Sequence, residues 1–166
     1  QTVSLGLTAG TATGGGTDFG SATATTNLQY SIDGGANWLD YSTTGAFALP
    51  AGGSVLVRTP INNDATPDNN EAFTLTATPA GGQAATGTGT IKDDGTGDIY
   101  KADGTKDTSA VKDDDRALAV TSPTVNEASP YAVFTVTGTA GQTVSLGLTA
   151  GTATGGGTDF GSATAT

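Results

Sequence analysis

Residues 73–92 read FTLTATPAGGQAATGTGTIK, and the fold is decided there. Phe73, Leu75 and Ala77 alternate with Thr74 and Thr76, the period of a strand with one buried and one solvated face. Pro79-Ala80-Gly81-Gly82 supplies turn residues, and a second extended stretch follows from Ala85 to Lys92. The same period runs through Val3, Leu5 and Leu7, and through Leu28, Tyr30 and Ile32. Further strands are expected at Ala46–Leu49, Ser54–Arg58, Leu118–Thr121 and Tyr131–Thr137, separated by turns such as Asp33-Gly34-Gly35, Pro50-Ala51-Gly52-Gly53 and Gly138 to Gly141. Long amphipathic helical stretches are missing. Short strands at this spacing predict an all-β chain folded as a β-sandwich.

The chain also repeats itself. Residues 142–166 are identical to residues 1–25, an offset of 141 residues, the usual size of one domain. A perfect match of that length implies a tandem array with a 141-residue unit, seen through a window out of register with the module. The expected organisation is residues 1–95 as the later three quarters of one module, 96–116 as a linker, and 117–166 as the opening of the next. Near-perfect repetition suits a property that grows with copy number, such as reach, better than an active site.

Composition removes several classes of function. The chain has no Cys and no His, so disulfides, thiolate metal sites and the commonest general base are absent. With 16 acidic against 6 basic residues the net charge is −10, which repels nucleic acid and anionic membranes and attracts divalent cations. No apolar run approaches the ~20 residues of a membrane span. Gly14-Gly15-Gly16 lacks the lysine and helix of a phosphate loop, and Asp residues on Gly-rich loops have no apolar pocket to raise one carboxyl as a general acid. The expectation is that the chain is not an enzyme.

The tract from Thr96 to Arg116 loses the strand period, and residues 93–115 carry eight of the sixteen acids. Such a run reads either as a solvated spacer or as a calcium site. Its clustering as Asp93-Asp94 and Asp113-Asp114-Asp115, with Asp98 between Gly turns, makes these residues candidate ligands of Ca2+. Oxygen donors without nitrogen or sulfur select calcium or magnesium, and irregular loops suit the flexible coordination of calcium.

Read from Leu118 through the repeat junction, the unit runs Thr124-Val125-Asn126-Glu127, the strand Tyr131–Val136, then Thr11–Phe19 with its three glycines and Asp18. It continues with Pro60–Leu75, containing Asp64-x3-Asp68-x2-Glu71-x-Phe73, and closes on Thr90-Ile91-Lys92-Asp93-Asp94. This pattern resembles the Calx-beta domain, an immunoglobulin-like calcium-binding β-sandwich, over about 120 of the 141 residues, those outside the linker. The resemblance implies calcium ligands at Glu127, Asp18 and its copy Asp159, Asp64, Asp68, Glu71, Asp93 and Asp94, gathered at one tip. It further implies an extender module in the stalk of a large, type I-secreted bacterial surface adhesin, extracellular, whose partners are neighbouring repeats. On that reading Leu118–Thr137 completes the sandwich begun by residues 1–95, within one chain or head to tail between chains, and brings Glu127 to the tip. Residues 1–25 and 142–166 would then compete for one place.

Ser31-Ile32-Asp33-Gly34-Gly35-Ala36-Asn37-Trp38 resembles the Asp-box hairpin of sialidases, with Asn37 where Thr is usual. That implies a structural turn in which Asp33 binds backbone and Trp38 packs beneath. The alternatives are a calcium-dependent carbohydrate-binding module, with Trp38, Tyr41 and Tyr30 as a sugar platform, or an accessory domain of a secreted glycosidase.

Overall fold

The computed structural model of the chain describes residues 1–20, 27–41 and 45–161. The last five residues of each copy of the 25-residue repeat, 21–25 and 162–166, lie outside the described residues. The described residues form antiparallel β-sheet and turns, with no helix among them.

The hairpin within residues 71–91 is the centre of the larger sheet. Its strands, numbered in chain order, are β1 (Thr2–Ala9), β4 (Phe47–Ala48), β6 (Glu71–Pro79) and β7 (Ala85–Ile91), ordered β4-β1-β6-β7. β6 pairs with β1 from Val3↔Pro79 to Ala9↔Phe73 and with β7 from Glu71↔Ile91 to Ala77↔Ala85. Val3, Leu5, Leu7, Leu75 and Ala77 therefore share one face, as the period-2 reading required. The smaller sheet holds β2 (Gln29–Ser31), β3 (Leu39–Asp40) and β5 (Leu56–Arg58), ordered β3-β2-β5. β3 was not foreseen, because two residues carry no readable period.

The core lies between these sheets: Val3, Leu28, Tyr41 and Phe47, with Leu5, Tyr30, Val57 and Leu75 packed around it. Tyr30 of β2 stacks on Phe47 of β4 with ring centroids 4.3 Å apart, tying the layers together. The β1–β4 ladder covers only Thr2 and Val3, so the Leu5 N–H lies beyond it and donates instead to the Tyr41 hydroxyl at 2.9 Å.

The later part of the chain departs from expectation. Among the described residues β8 (Ala119–Val120) and β9 (Val136–Thr137) pair only with each other, and Tyr131–Thr135 is not strand. Leu118–Thr137 does not fill a place beside residues 1–95 of its own chain; Val120, Tyr131, Val133 and Phe134 are exposed. With no second layer against them, these apolar residues gain nothing from a regular strand. Of the two identical segments, residues 2–9 hold the place in the sheet, while 143–150 make no strand pairing.

Candidate metal centre

The tip is built at the ends of β6 and β7. The preceding loop enters β6 through Asp64, Asp68 and Asn70, whose φ of +70° makes the last bend before Glu71. Opposite it, the turn from Thr13 to Phe19 is closed by the Asp18 side chain, which accepts the Thr13 N–H at 2.6 Å, while the Asp18 N–H donates to the Thr13 carbonyl at 3.0 Å. Gly15 and Gly16, at φ of +81° and +93°, allow that turn. Phe19 is buried and stacks on Phe73 at 4.4 Å, which anchors the turn over the start of β6. Gly89, facing Phe73 across the ladder, leaves the ring its space: a Cβ there would lie 2.6 Å from it.

Two groups of carboxylates result, each with oxygens within 4.8 Å of one another: Asp18, Asp68 and Glu71, and Asp93, Asp113 and Asp115. Asp64 lines the cleft they share, its own oxygen accepting the Thr66 N–H at 2.6 Å. The cleft measures about 30 Å³, room for a water molecule or a bare cation but not for a sugar. Asp113 and Asp115 arrive from the acidic tract, which returns to the module: Asp94 bridges Asp114, the Gly95 N–H donates to the Asp113 carbonyl at 2.8 Å, and the Asp115 N–H donates to Asp93 at 3.4 Å.

The electrostatics are those of crowded anions. Partial desolvation, and then the charges of Asp64, Asp18 and Asp93, push the Asp68 carboxyl up. Glu71 is raised by desolvation and by Asp18 and Asp68; Asp115 by desolvation and by Asp113 and Asp93. The Asp115 Oδ2 is buried without a hydrogen-bond partner, a position that costs free energy unless a cation or proton sits beside it. Two basic side chains near the tip are engaged by other groups: Arg116 holds Asp114 at 2.6 Å, and Lys92 donates to Asn70. An all-oxygen set of this kind fits calcium.

Six of the expected ligands thus converge with Asp64 beside them, and Asp113 and Asp115, expected as linker ligands, sit at the tip. The other expected ligands are committed differently. Asp94 accepts from Asn69 at 2.7 Å and from Thr96, and is held below its ordinary value chiefly by Thr96. Asp98 pairs with Lys106 at 2.6 Å, and Asp114 with Arg116; each is lowered by that partner. Glu127 is exposed and belongs to neither group, and exposed Asp159 accepts the Thr154 N–H of its own turn at 2.7 Å. Asn69, which joins Asp93 and Asp94, was missed; its place between Asp68 and Glu71 was the available signal.

The Asp-box segment forms a closed hairpin. Asp33 accepts from the Asn37 N–H at 2.9 Å, the Asn37 side chain at 2.7 Å and Ser31 Oγ at 2.7 Å; these bonds, led by Asn37, hold its pKa down to about 2. Arg58 lies 4.0 Å above the Trp38 ring, and Gly104 packs on the same indole. A sugar platform needs an open ring face, and Trp38 is covered. No family model, curated protein or solved structure matches the chain.

Proposed function

We propose that the chain is a structural extender module from the repetitive stalk of a large bacterial surface adhesin, of the Calx-beta kind, and that calcium at its tip stiffens it. The observation that carries the reading is the meeting of Asp18, Asp68 and Glu71 with Asp93, Asp113 and Asp115, residues from four separate stretches of sequence, at one end of a repeated module. Each like-charge pair opposes that arrangement by ~1 to 4 kcal/mol at dielectrics between those of water and protein surface, and a bound cation reverses the sign. Calcium supplies the positive charge; the chain supplies the oxygens, the Thr13–Phe19 turn that aims Asp18, and the fold-back that brings Asp113 and Asp115 to Asp93. Because those two aspartates lie beyond residue 95, an ion held with Asp93 would pin the acidic tract to the module. The distal ligand-binding role belongs to other domains. The covered Trp38 and the cleft of about 30 Å³ disfavour the carbohydrate-binding alternative.

The test is calorimetric. At the ~10⁻⁴ to 10⁻³ M affinity of extracellular calcium modules, ~10 mM calcium stabilises the fold by about 1.4 to 2.7 kcal/mol per site. Chelator should therefore lower the melting temperature markedly, and Asp93→Ala should abolish part of the response. Identical melting curves in calcium and chelator would sink the reading.

A further inference from the structure

The inner face of the larger sheet is covered unevenly: Leu75 and Ala77 of β6 are half-buried against the core, while the β7 side is open. Val3 and Phe47, on the β1–β4 half, are buried. On the other half Ala85 and Gly87, across the ladder from Ala77 and Leu75, are exposed, and a Cβ at Gly87 would meet nothing within 4 Å. β6 has a strand on each side, yet none of its nine residues is buried. The smaller sheet is what covers the first half. Its β3 end lies toward β4, since Tyr41 directly after β3 meets Leu5 on the β4 side of β1, and Tyr30 of β2 stacks on Phe47. β5 is thus its strand nearest β6, and among the described residues the outer edge of β5 has no strand partner. A free edge beside an open strip of sheet calls for a two-stranded element with one apolar face.

The chain carries one. In the β8–β9 hairpin Val120 pairs with Val136, and Leu118 and Phe134 each lie two residues before one of these valines in the chain, all four exposed. The repeat says which module this hairpin serves. Residues 142–161 duplicate residues 1–20, and the hairpin ends at Thr137, just before that second copy. In an array of this period, every β1 segment follows such a hairpin.

We infer that β8–β9 of one copy of the chain docks on the open β7 side of the inner sheet face of a second copy, adding to the free edge of β5. Donor and acceptor are different surfaces, so the contact is heterologous and joins copies head to tail without closing. Within an array it seats the end of one period on the start of the next. The inference does not depend on calcium: it is read by association, whereas the metal reading is read by melting in chelator, so the two fail separately.

Sedimentation velocity of the 166-residue chain, in excess calcium and from micromolar to millimolar concentration, should show an open series of growing species. A variant carrying Val120→Asp and Phe134→Asp loses the donor face and should stay monomeric. Gly87→Leu fills the acceptor face, where a side chain has room, and should stay monomeric as well. Mixed one to one, the two variants retain one donor and one acceptor surface between them and should stop at a dimer. An unaltered chain that remains monomeric throughout overturns the inference, as does association that survives either variant.

Discussion

At the scale of single residues, the tip is a conflict between charges that the fold itself creates. Asp68, Glu71 and Asp115 have raised pKa values, from burial first and neighbouring carboxylates second. In the metal-free protein their contribution to stability is present while they are protonated, below the ordinary 3.8 and 4.5, and is lost as pH rises through their raised values. Asp94, Asp98 and Asp114 have lowered values, and theirs is present above 3.8 and lost as pH falls. Removing one crowded charge should therefore act in opposite directions in two buffers. Asp68→Asn and Glu71→Gln are expected to raise the melting temperature in chelator at pH 7 by a few degrees and to weaken the calcium response. Calorimetry in both buffers reads this, and the gain in chelator should vanish as pH falls through the carboxylate range. Gly35 tests the other pole of the module. Its φ is +98°, and a Cβ there would lie 2.0 Å from the Asp103 carbonyl, so Gly35→Ala should cost ~1 to 3 kcal/mol in backbone strain and displaced contacts. Fluorescence of Trp38, the single tryptophan, should shift to longer wavelength as the loop around Gly104 lifts from it.

At the scale of elements, the acidic tract behaves as two attached loops. Residues 99–107 form a small hairpin, with Tyr100 bridging Lys106 and the Asp107 N–H donating to the Ile99 carbonyl at 2.7 Å. Arg58 fastens it to the smaller sheet by donating to the Ala102 carbonyl while gripping Gln29 at 2.6 and 2.8 Å. Residues 113–116 form the second attachment, at the tip. If calcium holds Asp113 and Asp115 to Asp93, chelator frees one end of this tract while the Trp38 end stays bound. Trypsin should then cut at Lys112 in chelator well before Lys101 or Lys106, and calcium should slow the Lys112 cut at least several-fold. Mass spectrometry of the fragments checks the order. Equal cutting at Lys112 in the two buffers would show that the tip holds the tract without metal.

At the scale of the whole molecule, the proposed function concerns reach and stiffness across many units. Small-angle scattering on tandem repeats should show a longer, narrower distribution of dimensions on adding calcium, as the tract between modules loses freedom. Magnesium should do this poorly, because it demands tighter octahedral geometry than these loops offer. Equal stiffening by magnesium would identify screening of the −10 charge, and no bound ion, as the cause.

The repeat separates what local sequence determines from what tertiary structure decides. The turn Thr13–Phe19 and its copy Thr154–Phe160 have the same bonds: Asp18 and Asp159 accept the Thr13 and Thr154 N–H groups at 2.6 and 2.7 Å, and both turns carry two glycines at positive φ. Neighbours a few residues away suffice for that, so the turn forms wherever the sequence occurs. The strand beside it does not. Thr2–Ala9 is strand with Val3 7% exposed, while the identical residues 143–150 are without strand and Val144 is 39% exposed. A strand's partners and covering layer come from elsewhere in the chain, and only the first copy has β4 and β6 against it. The candidate metal centre follows the same rule. Alternation and turn residues made the strands of the first 95 residues legible apart from the two-residue β3, and the acids were visible one by one. That Asp113 and Asp115 meet Asp93, while Asp94, Asp98 and Asp114 turn to Thr96, Lys106 and Arg116, depends on where the acidic tract folds back. No period in the sequence encodes that path; contacts across the folded chain decide it.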